Sequence, residues 1–234
     1  MPDTNTATNT TNNTSDTLID LFRHGKVDGP AAMYGTTDVP LHGSGWVQLE
    51  AAVDAIDKPE TIITSPRQRC HLFAEDYAAR LGLPLVVEPG LQEYDFGDWD
   101  GVPFDELFGC PEENPAVWAQ LQAFADAPKH NPVPNGEAID EVFERVSEAF
   151  DRLAVNHQGK HLAVFCHGAV IRLILGYLLP VNWHEGSWYS ALSIGYGSRT
   201  RIRIPGFPGA RPVVETIGWL PAGAKHISNP EGTQ

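Results

Sequence analysis

Two short apolar runs of the chain each end in a histidine followed by a glycine. The first run leads into Arg23, His24 and Gly25, and the second ends in His167 and Gly168. Short apolar runs of this kind predict buried strands. In an open α/β sheet, ligand chemistry collects just beyond the carboxyl ends of the strands, so we expect the two histidines to face each other across one crevice. The arginine beside His24 indicates an anionic ligand.

The residue types at these positions fit phosphoryl transfer. This reaction needs a nucleophile, cationic donors for the non-bridging oxygens, and an acid for the leaving oxygen. His24 fits the nucleophile, because a neutral imidazole can form a phosphoramidate that water later cleaves. Arg23 and Arg69 carry planar guanidinium groups suited to phosphate oxygens. A protonated His167 would add a further donor.

The acid is expected in residues 91–101, where several carboxylates lie among aromatic side chains. Apolar surroundings favour the protonated form of a carboxyl group. Glu93 is our candidate for the group that protonates the leaving oxygen. Asp95, Asp98 and Asp100 are expected to cap turns or contact solvent.

Alternating strand and helix patterns supply the elements that must position these residues. Ser65 and Pro66 predict the start of a helix that carries Arg67 and Arg69 in its first turn and ends at Gly82. Arg67 itself is expected to be a solvated surface residue. Other helices are predicted at 44–56, 116–125, 139–157 and 170–179, and strands at 61–64, 162–166, 199–204 and 213–217, the last two as edge strands.

This order predicts an α/β fold, a three-layer α/β/α sandwich with a mostly parallel central sheet. A segment at about 102–135, rich in Pro and Gly, is expected to be a lid-like insertion. Residues 1–16 form a Thr/Asn-rich tail that we expect to be disordered, since it has almost nothing to bury. The catalytic domain is then expected at 17–220, with a C-terminal tail at 221–234.

The composition of the chain limits the kinds of molecule that the protein is expected to bind. The net charge of −14 and the pI near 4.9 argue against nucleic acid and disfavour anionic membranes, because both need a basic surface. The expected partner is a small-molecule phosphomonoester, held by local arginines in a cleft. The sequence leaves the oligomeric state open.

Cysteine and histidine usage point to a metal-free enzyme in a reducing compartment. Cys70, Cys110 and Cys166 form no Cys-x-x-Cys pair, so a cytoplasmic location is expected. No apolar stretch approaches the roughly 20 residues of a membrane span, and the first residues lack the pattern of a secretory signal. The remaining histidines show no metal-ligand spacing. No metal and no cofactor are therefore predicted.

Five ordered segments together resemble the histidine phosphatase superfamily, also called the phosphoglycerate mutase-like family. They are LFRHG at 21–25, TSPRQR at 64–69, LQEYDFGDWDG at 91–101, PNGE at 134–137 and FCHGAVIR at 165–172. By this resemblance His24 is the histidine that becomes phosphorylated, and Arg23, Arg69 and His167 form the phosphate pocket. Glu93 matches the proton donor of the family.

Within the superfamily, YGTTDVPL at 34–41 together with FGDWDG is most similar to alpha-ribazole phosphatases, which act in cobalamin assembly. Alpha-ribazole 5'-phosphate is thus one expected substrate, and aromatic residues of the insertion could form an apolar wall for its base. The insertion's own small core is an equally good place for those aromatics. Two residues depart from the family pattern: Lys26, a possible substrate contact, and Asn135 in place of a usual glycine.

Several alternatives stay open at the level of the sequence. A phosphoglycerate mutase-type phosphotransferase and a broad-specificity sugar phosphatase would use the same residues. A non-catalytic phosphoester-binding protein would need no acid and no nucleophile. Cys166 and Arg172 also fit the Cys-x5-Arg spacing of cysteine-dependent phosphatases, although the residues between them predict a helix and not a phosphate-binding loop.

Overall fold

The computed structural model describes residues 15–109, 114–182, 184 and 191–222. Most of the two predicted tails lies outside these ranges. Its α-helices are α1 Gly43–Val53, α2 Gln68–Leu81, α3 Phe104–Phe108, α4 Pro115–Asp126, α5 Ile139–Asn156 and α6 Gly168–Leu178. Its strands are β1 Thr17–Arg23, β2 Thr61–Thr64, β3 Leu85–Val87, β4 His161–Cys166, β5 Arg199–Ile204 and β6 Val213–Trp219. Among the described residues, no helix combines the length and apolar character that a membrane span requires.

The strands form one sheet in the order β3-β2-β4-β1-β5-β6. The pairs β3-β2, β2-β4 and β4-β1 are parallel, whereas β5 pairs antiparallel with both β1 and β6. The predicted mostly parallel sheet is therefore confirmed. Two details differ from the sequence prediction: β5 is an interior strand and not an edge strand, and the short edge strand β3 had not been predicted.

The alternation of side chains along β1 divides the core into two layers. Ile19 and Leu21 pack against α5 and α6 on one face of the sheet. Phe22 packs on the opposite face against α1 and α2. Because successive residues of a strand point to opposite faces, both faces of the central strands are buried, as a three-layer sandwich requires.

A buried carboxylate joins the central strands. Asp20 on β1 is fully buried, and its Oδ2 lies 2.7 Å from Nε2 of His161 on β4. Arg201 on β5 donates from Nε and Nη2 to the same carboxylate at 2.8 and 2.7 Å. Burial alone would raise the pKa of Asp20, but the bonds from Arg201 and His161 outweigh it and lower this pKa. The carboxylate therefore fixes β1, whose end carries Arg23, between its two neighbours.

The first residues that the structure describes are hydrogen-bonded to the end of β5 and to the turn that follows it. Asp16 accepts a hydrogen bond from the Gly206 amide at 2.9 Å and from Arg203 Nη1 at 3.1 Å. The chain is thus anchored one residue before β1 begins, inside the span where the sequence suggests a tail.

Candidate active site

The two strand-end histidines meet because β1 and β4 are parallel neighbours. Arg23 lies opposite Cys166 in the register, so His24 and His167 leave the sheet at the same edge. The His24 amide donates to the Cys166 carbonyl at 3.0 Å. The two imidazole rings lie 5.3 Å apart, centroid to centroid, at 64°. This is the juxtaposition that the sequence predicts.

The His24 ring is set in one tautomer by its neighbour. Its Nδ1 lies 2.9 Å from the carbonyl oxygen of Gly25. A carbonyl can only accept, so Nδ1 carries the proton and Nε2 of the neutral ring keeps a lone pair. Burial, followed by the charges of Arg69 and Arg23, holds the pKa of His24 well below its usual value. His24 is therefore neutral at pH 7, with Nε2 available as a nucleophile.

Arg23 is held by backbone and an aromatic ring. Its Nη1 donates to the Ile194 carbonyl at 2.5 Å, and its guanidinium carbon lies 4.2 Å from the ring centroid of Tyr196. The side chain is buried, and its Nε finds no acceptor among the described residues. A buried donor without a partner is costly, and an anionic ligand would satisfy it.

Arg69 repeats this pattern on the other side of the histidines. It is fully buried in the first turn of α2 and donates to the carbonyls of Tyr34 at 2.5 Å, Gly35 at 3.2 Å and Thr37 at 3.1 Å. The carboxylate of Asp38 lies 3.9 Å from Nη1 of Arg69. The Nε of Arg69 is buried without an acceptor in the described chain, as in Arg23.

The loop that receives Arg69 is clamped from its other side by Asp100. One carboxylate oxygen of Asp100 accepts from the amides of Gly35 at 2.9 Å and Thr36 at 2.8 Å, and the other accepts from the Thr37 amide at 2.8 Å. Burial would raise the pKa of Asp100, but the hydrogen bonds from these residues, those from Thr37 first, lower it. The prediction that Asp100 caps a turn is confirmed, and the turn it caps positions Arg69.

Arg67 is closer to the site than the sequence suggests. Its Nη1 donates to the Thr36 carbonyl at 3.0 Å, and its Nε is buried without an acceptor in the described ranges. Its charge contributes to lowering the pKa of His167, after burial and the charges of Arg69 and His24. The expectation that Arg67 is a solvated surface residue is therefore wrong. Arg67 is half-buried, and its guanidinium is bonded to the loop at 34–38.

His167 is fully buried and is held by Ser65. The Nε2 of His167 lies 2.7 Å from Ser65 Oγ. The sequence predicts Ser65 as the N-cap of α2, but this helix begins at Gln68 after Arg67, and no side chain caps it. The Ser65 hydroxyl accepts from the Arg67 amide at 3.4 Å, before the helix begins, and it also contacts His167. The contact with His167 is long-range, so local helix signals do not reveal it.

Glu93 lies in the same cleft, buried to 8% exposure. Its Oε1 accepts from the Tyr94 amide at 3.0 Å, and its Oε2 accepts from the Ala169 amide at 3.4 Å, in the first turn of α6. The carboxyl group is thus oriented by backbone amides and not only by the aromatic neighbours that the sequence suggests. It shares the cleft with His24, as an acid for the leaving oxygen must.

The cleft is open to solvent, and its cavity volume is about 30 Å³. The cleft is also lined by Ala32, Tyr34 and Tyr196, which no sequence pattern marks as candidate residues, and by Arg172, which the sequence marks only through the Cys-x5-Arg spacing. Lys26, the possible substrate contact, is exposed and lies outside the lining found in the described chain. The described residues that line the cleft are Arg23, His24, Ala32, Tyr34, Glu93, Phe96, Gly168, Ala169, Arg172 and Tyr196.

The aromatic residues of the insertion pack on one another and do not form a cleft wall. Phe108 stacks between Phe104 and Trp118, with centroids 5.6 and 5.5 Å away. Trp99 packs edge-on against Phe124 at 5.8 Å. The small-core alternative is therefore correct. The aromatic surface of the cleft comes instead from Tyr34, Phe96 and Tyr196.

Cys166 has the surroundings of a structural cysteine. It is fully buried at the end of β4, and burial raises the pKa of its thiol well above the usual value. The residues after it form the start of α6 and not a phosphate-binding loop. The Cys-x5-Arg alternative is thus wrong in its geometry.

The backbone conformation at Asn135 accounts for its departure from the family pattern. Asn135 has φ of +54°, a left-handed conformation in which glycine is common, so its place in a position usual for glycine is explained. Within the described ranges, no group of three or more His, Cys, Asp or Glu side chains could hold a metal ion.

Known proteins resemble this chain in sequence and in fold. A bifunctional protein of Mycobacterium tuberculosis is 32% identical over 160 residues, which cover 66% of this chain and 42% of that protein. The chain thus spans less than half of that relative. The alpha-ribazole phosphatase of Shigella flexneri superposes with a TM-score of 0.69 at 21% identity, over 89% of this chain and 99% of that one.

A mycobacterial glucosyl-3-phosphoglycerate phosphatase gives a TM-score of 0.71 at 23% identity, over 87% of this chain and 99% of that one. That phosphatase has also been seen in complex with VO3 and with inorganic phosphate. At these identities the structural likeness shows the fold alone. The sequence profile of the histidine phosphatase superfamily, branch 1, matches residues 19–210. The chain with this pair of strand-end histidines therefore belongs to branch 1 of the histidine phosphatase superfamily.

Proposed function

We propose that this protein is a metal-independent phosphomonoester hydrolase that works through a phosphohistidine at His24. The observation that carries the proposal is the tautomer of His24, whose Nδ1 proton is committed to the Gly25 carbonyl so that Nε2 is free to attack. The buried Nε donors of Arg23 and Arg69, which lack acceptors in the described chain, support an anionic ligand beside it.

In the first step, Nε2 of His24 attacks phosphorus and the bond to the leaving oxygen breaks. Arg23 and Arg69 neutralise charge on the non-bridging oxygens, and Glu93 gives its proton to the leaving alcohol. In the second step, the Glu93 carboxylate takes a proton from water, and the resulting hydroxyl oxygen attacks the phosphohistidine. Inorganic phosphate leaves, and both His24 and Glu93 return to their starting states.

His24→Ala is the direct test. Its kcat for p-nitrophenyl phosphate should fall by about a thousand-fold or more, since a nucleophile acts as a unit with its partners. Substrate-treated wild-type protein, quenched in alkali, should carry one phosphoryl group that is stable in base, is lost in acid and is absent from the variant. His130→Ala, at an exposed histidine, is the matched control. Retained turnover in His24→Ala, with normal folding, would overturn the proposal.

Cys166→Ser distinguishes the cysteine alternative, and normal kinetics in that variant are expected. A wild-type protein that binds phosphate without turnover would instead indicate a phosphoester-binding protein. A mutase would transfer the phosphoryl group between positions of a phosphoglycerate without releasing inorganic phosphate in proportion. Release of inorganic phosphate, measured against isomer formation, therefore separates hydrolase from mutase.

For the substrate, we propose alpha-ribazole 5'-phosphate or a related phosphomonoester with an aromatic base. The rings of Tyr34, Phe96 and Tyr196 line the cleft and could stack on such a base. The similarity of YGTTDVPL and FGDWDG to alpha-ribazole phosphatases supports the same choice. A panel of alpha-ribazole phosphate, sugar phosphates, phosphoserine and phosphoglycerates, compared by kcat/KM, tests it. Equal or lower efficiency on alpha-ribazole phosphate would refute the substrate and leave the hydrolase intact.

A further inference from the structure

One backbone segment, residues 192–198, holds two of the arginines that line the cleft. The Leu192 carbonyl accepts from Nε of Arg172 at 2.9 Å, and the Ile194 carbonyl accepts from Nη1 of Arg23 at 2.5 Å. Two residues further along, the Tyr196 side chain lines the cleft. The segment thus forms one wall of the cleft and at the same time sets the orientation of its cations.

Tyr196 contacts both members of the Arg-His pair. The guanidinium carbon of Arg23 lies 4.2 Å from the ring centroid of Tyr196, and the His24 ring lies 5.5 Å away at 48°. The backbone fixes this placement, because the Gly197 amide donates to the His24 carbonyl at 3.2 Å and the Arg23 amide donates to Ser198 at 3.0 Å. These bonds hold the backbone that carries Tyr196 beside the backbone of Arg23 and His24.

A ring suits this position better than a carboxylate would. A carboxylate beside Arg23 would neutralise the charge that an anionic substrate needs. The face of an aromatic ring attracts a guanidinium through its quadrupole and adds no net charge. It also covers the guanidinium face, while the hydrogen-bond donors lie in the guanidinium plane. The Nε of Arg23, buried without an acceptor in the described chain, is such a donor.

We propose that Tyr196 is a positioning residue, whose aromatic face holds Arg23 and His24 in the geometry that binds and attacks the phosphoryl group. The ring carries this role, and the hydroxyl does not. The proposal rests on the proposed phosphatase function, because it assumes that Arg23 and His24 act on phosphate. It concerns a residue that neither the sequence motifs nor their spacing single out.

The test compares Tyr196→Phe and Tyr196→Leu. The readouts are orthovanadate affinity by calorimetry and the kinetics of p-nitrophenyl phosphate. Loss of a desolvated cation–π contact should weaken vanadate binding in Tyr196→Leu by about 10- to 30-fold. Tyr196→Phe keeps the ring and should stay within about 3-fold of wild type. Trp219→Leu is the matched control, because it removes another ring from an arginine, Arg199 at 4.6 Å, and neither residue is among those that line the cleft in the described chain.

A second series covers the case in which Tyr196→Leu fails to fold. Phenylalanine carrying one, two or three ring fluorines at position 196 keeps the shape but withdraws electrons from the face. Vanadate affinity should fall step by step along this series. A flat series would show that the ring only fills space and would overturn the proposal. Vanadate binding is measured without turnover, so failure here is distinct from failure of the phosphohistidine mechanism, which the His24→Ala result decides.

Discussion

Asp100 holds the loop at 35–37 through three backbone amides, and this contact predicts how much stability Asp100→Asn should lose. An asparagine oxygen can replace the oxygen that accepts from Gly35 and Thr36, but the amide nitrogen then faces the Thr37 N–H, where two donors meet. In the variant, two bonds therefore remain, made to a neutral oxygen, and one charge-assisted bond, that from the Thr37 amide, is lost. Such a bond contributes about 2 kcal/mol, which corresponds to a fall in Tm of about 4–8 °C for a chain of this size.

The same change should weaken catalysis, because the loop also supplies the carbonyls that hold Arg69. Small displacements of a positioning group can cost up to about 100-fold, so we expect kcat/KM to fall by about 10- to 100-fold. The assay pairs thermal denaturation with p-nitrophenyl phosphate kinetics. Asp98→Asn is the matched control, since the Asp98 carboxylate accepts from the exposed amide of Asn135. Surface changes of that kind stay within about 0.5 kcal/mol.

Two results would refute this reasoning about Asp100. Wild-type Tm and kcat/KM in Asp100→Asn would show that the clamp does not stabilise the loop. Lost activity at unchanged Tm would show that Asp100 acts on the substrate and not through the loop that holds Arg69.

Further predictions concern Glu93, the pKa of His24 and the N-terminal residues. Glu93→Gln should slow an alkyl phosphate more than p-nitrophenyl phosphate, because a poor leaving group depends most on the acid; equal slowing would rule out that role. Burial and the charges of two arginines lower the pKa of His24. The value of kcat/KM, corrected for substrate ionisation, should therefore stay level as the pH falls through 6.5. A decrease of kcat/KM with a midpoint at pH 6.5 would contradict the neutral state of His24. By linkage, the same lowered pKa means that the unfolded chain binds more protons, so stability is complete above pH 6.5 and declines below it. Deleting residues 2–14 should leave KM unchanged, whereas a large rise would assign the segment a role at the cleft.

The sequence was sufficient for the placement of His24 and His167, and the register shows why. Each histidine follows a buried apolar run, and the two runs are parallel neighbours that end level with each other. Parallel strands in an α/β sheet deliver their carboxyl ends to one edge, so two local patterns imply one long-range contact. Arg69 follows from the same logic, since it lies in the first turn of the helix after β2.

Long-range hydrogen bonds were beyond the reach of local patterns. Ser65 precedes a helix and reads as its cap, yet its hydroxyl lies against His167. Tyr196 stands in a Gly/Ser-containing turn without periodicity, and its partners are about 170 residues away in the chain. Strand β3 has three residues, too few for an alternating pattern to identify. The position of Ser65, of Tyr196 and of β3 depends on a partner elsewhere in the chain, and a local sequence pattern does not identify that partner.

The arginines of this site keep their positive charge because backbone carbonyls hold them in place. The hydrogen bonds of Arg23 and Arg69 that the structure shows go to backbone carbonyls, which carry only partial charge, and the carboxylate of Asp38 lies 3.9 Å from Arg69. Carbonyls fix a guanidinium without neutralising it. A protein of net charge −14 can therefore keep a locally positive cleft for an anion that its surface as a whole repels. Burial first, and then the charges of Arg69 and Arg23, lower the pKa of His24, so the arginines proposed to bind the phosphoryl group also help to keep the proposed nucleophile unprotonated.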